Sequence, residues 1–353
     1  MKIRVLVVDD SAFMRKVIAD MISSDPGMEV VAVARNGEEA LQMIVDHKPD
    51  VVTMDIEMPK MDGLTALKQI MENSPMPVIM LSSLTKSGAV ETLKALDYGA
   101  FDFITKPTSL VKVSTPEVKE ELLSKIKIAS RTKIAKPLSA HKIVSVSHMR
   151  PVIERKPYSG STKFKKLIAI GTSTGGPRAL QDVIPYLPKD IDAGILIVQH
   201  MPPGFTKSLA ERLDSMSQIR VKEAEDGDVI NAGIAYLAPG DSHLKVTKQG
   251  GQFVIKLDSG DRVSGHKPSV DAMMYSIVEL QEKNVIGVIM TGMGADGADG
   301  VSKLKANRGY VIAQDEESCV VFGMPKSAIK LGVVDKVVSL SNIANEIVKA
   351  MEV

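Results

Sequence analysis

Apolar and polar residues fall into blocks along this chain, and the period changes from block to block. Short apolar runs at 3–8, 30–34, 51–54, 78–81 and 103–104 have the length and composition of buried strands. Between them, stretches such as 37–46 and 63–73 repeat apolar positions every three to four residues, the period of an amphipathic helix. Five strands alternating with helices predict a doubly wound parallel sheet. One more helix is expected at 116–130, and then the pattern dissolves. Residues 131–166 hold three prolines, many Lys, Arg and Ser residues, and a single acid, Glu154. That composition predicts an interdomain linker. From Lys166 the alternation resumes, with strands expected at 167–170, 194–199, 235–237, 253–257, 285–290 and 310–313. The expected fold is α/β, with two doubly wound domains.

Length agrees, since 353 residues are many for a single core. The chain is 44% hydrophobic and 25% charged, with a net charge of +1. Nothing in that balance points to nucleic acid or to a membrane. No apolar run approaches the roughly 18 residues of a membrane span. The opening run Met1-Lys-Ile-Arg-Val-Leu-Val-Val-Asp-Asp10 carries charges among its apolar residues, so it reads as a strand rather than a signal peptide. The basic linker reads as a solvated segment, with contact to an acidic partner as the alternative. The single cysteine, Cys319, excludes an internal disulfide, and its Ser-Cys-Val-Val-Phe setting favours packing over nucleophilic chemistry.

Candidate chemistry gathers at predicted strand ends. Asp9 and Asp10 end the first strand, Asp55 the third, Ser82 the fourth, and Lys106, followed by Pro107, the fifth. In a doubly wound sheet these ends share one edge, where ligands bind. Asp9, Asp10 and Asp55 can offer carboxylate oxygens to a hard cation such as Mg²⁺. Bound metal would let Asp55 attack a phosphoryl group. Lys106 could then pair with the phosphate and Ser82 hydrogen-bond it. Each aspartate alone could be a turn residue or cap. Together, in this order, they resemble the receiver domain of two-component response regulators over about residues 1–120. The resemblance implies a flavodoxin-like fold, phosphorylation of Asp55 by a histidine kinase, and Mg²⁺ held by Asp9 and Asp10. Serine replaces the commoner threonine at position 82 and keeps the hydroxyl.

In the C-terminal half, Leu167-Ile-Ala-Ile-Gly-Thr-Ser-Thr-Gly-Gly-Pro177 reads as strand, turn and helix start. Pro177 suits the first turn of a helix, and Ser173 is presented beside unpaired helix N–H groups that can stabilise an oxyanion. Of six histidines, His47 lies in the first domain and His141 and His148 in the linker. His200 directly follows the strand at 194–199, so position favours it as general base over His243 and His266. The strand at 285–290 runs into Thr291-Gly-Met-Gly-Ala-Asp-Gly-Ala-Asp-Gly300. Asp296 is the preferred orienting carboxylate and Asp299 the alternative, which could instead cap the next helix. Gly171 to Gly175 matches the nucleophile-elbow pattern, but the order Ser173, His200, Asp296 is not that of α/β-hydrolases. Geometry rather than order defines a triad. Gly292 to Gly297 formally matches a dinucleotide fingerprint, yet Asp296 would put a carboxylate in the pyrophosphate cradle.

A receiver, a basic linker and this serine domain resemble the chemotaxis protein-glutamate methylesterase family over essentially the whole chain. The motifs are Gly-Thr-Ser-Thr-Gly-Gly, Gln199-His-Met-Pro-Pro-Gly-Phe205, Ala238-Pro-Gly and Thr291-Gly-Met-Gly-Ala-Asp-Gly297. The resemblance implies a receiver at 1–122, a helix end and linker at 123–163, and a mainly parallel, Rossmann-like methylesterase domain at 164–353. It places a triad on Ser173, His200 and Asp296, with Met293 and Thr174 supporting the oxyanion. It implies a cytoplasmic enzyme that demethylates glutamate γ-methyl esters on chemoreceptors and deamidates receptor glutamines. Hydrolysis is expected to need no cofactor. Phosphorylation of Asp55 is expected to uncover the Ser173 edge. Partners other than the receptors and the kinase, such as nucleic acid or a membrane interior, are not expected. A DNA-binding regulator would need a helix-turn-helix output, and a hydrolase of small-molecule esters is the second alternative.

Overall fold

The computed structural model describes residues 1–106, 116–132 and 161–352. Pro107, His141, His148 and most of the expected linker lie outside the described residues. The chain divides into two compact units, Met1–Val152 and Ile153–Val353.

The first unit runs β1 (Ile3–Val8), α1 (Ala12–Ser23), β2 (Met28–Ala34), α2 (Gly37–His47), β3 (Val51–Asp55), α3 (Gly63–Asn73), β4 (Val78–Ser82), α4 (Lys86–Asp97), β5 (Asp102–Thr105) and α5 (Pro116–Ala129). Its five strands stand in the order β2-β1-β3-β4-β5, all parallel. All five residues of β3 and of β4 are buried, as expected of strands covered on both faces. Local chemistry starts the helices. Ser11, Asn36, Asp62 and Thr85 each accept a backbone N–H of the first turn of α1, α2, α3 and α4, which satisfies a donor the helix leaves unpaired. α5 buries Leu122, Ile126 and Ala129 against this unit, with contacts to α1, β4 and β5. The expected limit at 122 therefore falls inside a packed helix.

The second unit continues with β6 (Lys166–Thr172), α6 (Gly176–Gln181), β7 (Ala193–Gln199), α7 (Phe205–Met216), β8 (Arg220–Glu223), β9 (Ile234–Leu237), β10 (His243–Gln249), β11 (Gln252–Asp258), α8 (Val270–Glu279), β12 (Val285–Ile289), α9 (Ala298–Ala306), β13 (Tyr310–Gln314), α10 (Met324–Lys330), β14 (Lys336–Val338) and α11 (Leu340–Ala350). Seven strands form one parallel sheet in the order β14-β13-β12-β6-β7-β9-β8. Every residue of β7 and β12 is buried. Replacing a core residue such as Ile197, which is fully buried, by Ala is worth about 2–5 kcal/mol. The chain order reverses between β12 and β6, the switch point where a crevice opens at the strands' carboxyl ends. The strand expected at 253–257 belongs elsewhere. It is β11, paired antiparallel with β10 in a separate hairpin that packs on α8.

Candidate active site

β6 extends to Thr172, two residues past the strand expected at 167–170, and Ser173 follows it directly. Thr172 pairs in register with Gln199 on β7, and the His200 N–H donates to the Thr172 carbonyl at 3.1 Å. Ser173 and His200 thus leave neighbouring strands at the same level. Gln199, buried, clamps this edge. Its Nε2 donates to the Ser173 and His200 carbonyls, each at 3.0 Å, while its Oε1 accepts the Thr172 hydroxyl at 2.6 Å. Gly176 makes room for that amide, since a Cβ there would lie 1.9 Å from Gln199 Oε1.

β12, on the other side of β6, delivers the carboxylate. Asp296 Oδ2 lies 2.7 Å from His200 Nε2. The same carboxylate accepts the Ser269 hydroxyl at 2.8 Å and the Val270 and Asp271 N–H groups at 2.7 and 3.0 Å. Those groups form the N-terminus of α8, where a negative charge is favoured. Burial alone would push Asp296 up, but the His200 hydrogen bond and charge and the two backbone donors outweigh it, and its pKa falls below the usual carboxylate value. Four donors leave the carboxylate ionised, so His200 Nε2 carries the proton shared with it. The other ring nitrogen, Nδ1, is buried with no hydrogen-bond partner, and in the neutral ring its lone pair is the one a general base uses.

The alternatives are occupied otherwise. Asp299 is exposed, bonded to Tyr275 and paired with Lys303. His243 is buried and structural. Its Nδ1 accepts the Ser269 N–H at 3.2 Å, which leaves Nε2 to donate to the Asp261 carbonyl at 2.9 Å. His266 does approach the site, since its ring stacks on that of His200. Asp271 is a neighbour that sequence reasoning missed. It accepts the Gly297 and Gly300 N–H groups and the Ser264 hydroxyl, and burial, with Asp296 nearby, raises its pKa. Its only sequence signal was an acid in the first turn after the cap Ser269.

The loop after β12 closes over the serine. The Ser173 N–H donates to the Thr291 carbonyl at 3.0 Å, and the Thr291 hydroxyl donates to the carbonyl of buried Thr174 at 2.9 Å. A Cβ on Gly292 would sit 2.8 Å from Ser173 Cβ, so only glycine allows this approach. Met293 follows, half-buried. α6 spans six residues, too short for a large macrodipole, so local N–H groups rather than the helix must serve any oxyanion here. The Cys319 thiol is pushed up to about 12 by burial and Asp315, which makes it inert at neutral pH.

In the first unit, Asp9 and Asp55 are buried and Asp10 is exposed, and one carboxylate oxygen from each lies within 4.8 Å of the other two. Lys106 Nζ lies 2.7 Å from Asp9 Oδ2 and 2.6 Å from Asp55 Oδ2. Burial raises the Asp55 pKa to about 6 against the pull of Lys106, with Asp9 and Asp10 adding to the rise. The Lys106 ammonium is thus shared between the two buried carboxylates. Three carboxylates gathered this closely form an all-oxygen set that fits a hard divalent cation such as Mg²⁺. A cavity of about 580 Å³ opens beside it, lined by Asp10, Asp55, Met58, Ser83 and Lys106 among others. The Ser82 hydroxyl is not turned to this cluster. It donates to the Gly88 carbonyl at 3.2 Å and accepts from Thr92 at 2.6 Å.

Comparison with known proteins gives both halves a family. Residues 168–347 match the CheB methylesterase model and residues 5–115 the response regulator receiver domain. A Pyrococcus horikoshii protein named protein-glutamate methylesterase/protein-glutamine glutaminase is 49% identical over 352 residues, covering 100% of this chain and 94% of that one. A Thermotoga maritima protein of the same name is 48% identical over 351 residues, covering 98% of each. The crystal structure of the Thermotoga maritima CheB methylesterase catalytic domain is 50% identical, covers 53% of this chain and 97% of that chain, and has a TM-score of 0.51. The chain belongs to the CheB methylesterase family, with a response regulator receiver domain preceding the methylesterase domain.

Proposed function

We propose that the chain is a phosphorylation-regulated protein-glutamate methylesterase and protein-glutamine glutaminase acting on chemoreceptors, with Ser173, His200 and Asp296 as its catalytic triad. The observation that carries the triad is the His200–Asp296 bond, with the opposite ring nitrogen buried and unpartnered. Ser173 Oγ attacks the γ-ester carbonyl while His200 Nδ1 takes its proton. The C–OCH₃ bond breaks, the proton leaves with methanol, and the glutamyl group stays on Ser173. Water, deprotonated by the same nitrogen, then releases the glutamate. Asp296 holds the ring and stabilises its positive charge. The Met293 N–H and the Thr174 backbone support the oxyanion. Glutamine deamidation follows the same course with ammonia leaving.

In the receiver, Asp55 accepts the phosphoryl group from a histidine kinase, and Asp9 and Asp10 join it in holding Mg²⁺. The ion, when bound, neutralises charge on the transferring phosphoryl group. Lys106 pairs with the new phosphate, and Ser82 reaches it by releasing Gly88 and Thr92. Phosphorylation favours a state in which the Ser173 edge is open. The receptor's cytoplasmic bundle as substrate places the enzyme in the cytoplasm, and no described helix is long and apolar enough to cross a membrane.

The test is methanol release from methylated receptor membranes, with and without a small phosphodonor. Release should rise with phosphodonor and vanish in Ser173→Ala, which still accepts phosphate. Retained release in that variant refutes the triad. Faster turnover of simple methyl esters than of methylated receptor would favour a small-molecule esterase.

A further inference from the structure

His200 is held in its plane by surprisingly little from its own hydrogen bonds. Its ring has one side-chain partner, Asp296, at Nε2, and its other nitrogen has none. A ring tied at one nitrogen can pivot about that bond, and a pivot would displace Nδ1. The second constraint is a face. The His266 ring lies parallel to the His200 ring, with centroids 3.9 Å apart and planes 8° apart. At that separation neither ring can rotate out of plane without collision.

His266 is itself fixed by a built support. It closes a tight hairpin with Val263, each donating its N–H to the other's carbonyl at 2.9 and 3.1 Å. The two turn residues, Ser264 and Gly265, take φ of 52° and 80°, as a two-residue turn of this kind requires. The Ser264 hydroxyl donates to Asp271 at 2.6 Å. Buried His243 holds both flanks of the hairpin, through the Asp261 carbonyl and the Ser269 N–H. Ser269 and Asp271 are the residues whose hydroxyl and backbone hold Asp296. One short segment, 261–271, therefore carries both the carboxylate's donors and the ring that covers His200.

We propose that His266 is a positioning residue of the hydrolytic centre: by stacking on His200 it locks that imidazole in the plane joining Asp296 to Ser173. The proposal rests on the triad reading above. It requires a flat ring at position 266 and not an ionisable one. Displacements of about 1 Å in a catalytic group cost up to about a hundredfold in rate.

The experiment compares the full chain with His266→Ala, His266→Phe and Ser173→Ala, measuring kcat and KM for methanol release from methylated receptor membranes and the thermal midpoint of each protein. His266→Ala is expected to lower kcat about ten- to a hundredfold with KM unchanged. His266→Phe is expected to restore most of that kcat, because the plane returns. Unchanged kcat in His266→Ala overturns the proposal. So does a change confined to KM, which would make the ring a substrate contact. Equal impairment of the Ala and Phe variants at the parent's thermal midpoint also overturns it. Failure of the triad reading looks different, because Ser173→Ala would then keep the parent's activity.

Discussion

Asp296 and Asp271 each cap the helix that follows the other's strand-side loop. Asp296, just before α9, accepts three donors at the start of α8. Asp271, in the first turn of α8, accepts the Gly297 and Gly300 N–H groups at the start of α9. Neither α9 nor its N-cap Gly297 offers a side-chain cap of its own, so Asp271 supplies what the local sequence lacks. The exchange fixes two helix ends against each other, and the Asp296 oxygen that meets His200 is aimed by helix packing rather than by a loop.

Asp271→Ala should therefore damage both stability and rate. It leaves two backbone N–H groups and the Ser264 hydroxyl without their acceptor. At about 1–3 kcal/mol for each buried unsatisfied donor, the two N–H groups alone make the expected loss on the order of 2–6 kcal/mol. Denaturant unfolding checks the first effect and kcat for methanol release the second. A variant as stable as the parent would show that α9 finds its own cap.

The pair also sets opposite signs of pH dependence. Asp296 has a folded pKa below its unfolded value, which is near 3.9. Its stabilisation is complete above that value and is lost as pH falls through the folded pKa. Asp271, raised chiefly by burial, opposes folding while charged and is relieved as pH falls toward its folded pKa. Asp296→Asn should flatten the loss of stability below about pH 4, and Asp271→Asn should remove a relief that begins above it. Unfolding free energies across pH 3–7 separate the two, and parallel curves for both variants would refute the assignment. Asp296→Asn should also lower kcat by up to about 10⁴.

How much of this was readable in the sequence follows from where each residue sits. Ser173, His200 and Asp55 each lie at or just past the end of a mostly apolar strand, and parallel strands covered on both faces produce such runs. The sheet's edge strands hide for the opposite reason. β8, Arg-Val-Lys-Glu, is short and charged, and β14, Lys-Val-Val, has only three residues; short or charged edges resist aggregation and leave little pattern to read. β10 carries three basic side chains in seven positions, so the antiparallel pairing of 253–257 was not visible. Asp271, the Gln199 clamp and the structural His243 each depend on at least one contact with a residue 26 or more positions away, which no local pattern records. The turn of the Ser82 hydroxyl toward Thr92 and Gly88 is a rotamer choice, and sequence does not encode rotamers legibly.

Gly292→Ala is expected to abolish activity while sparing the receiver. The added methyl would lie 2.8 Å from Ser173 Cβ and 2.3 Å from Met324 Sδ. Met324 is flexible and can yield, whereas Ser173 is anchored through its own N–H to Thr291. Overpacking of this kind costs about 1–3 kcal/mol, and the larger effect should be on kcat as the serine or the Met293 N–H is displaced. Phosphorylation of Asp55 should proceed at the parent's rate. An active Gly292→Ala enzyme would mean that this loop does not serve the oxyanion.

Chelation should divide the two chemistries. The receiver's donor set is all oxygen, three carboxylates held close together. At the serine centre, by contrast, Asp296 is saturated by four donors and His200 Nε2 is taken, so the acid–base chemistry there is complete in the protein's own groups. Stripping Mg²⁺ should abolish stimulation by phosphodonor and leave basal methanol release unchanged. Asp55→Ala should reproduce that result with Mg²⁺ present, because it removes the proposed acceptor and a proposed ligand together. Asp9→Asn, which keeps the side chain's shape but halves its oxygen donors, should weaken stimulation and shift it to higher Mg²⁺ concentration. A titration of methanol release against Mg²⁺ reads all three. If basal release in the parent also falls on chelation, the serine centre depends on metal and the division between the two sites is wrong.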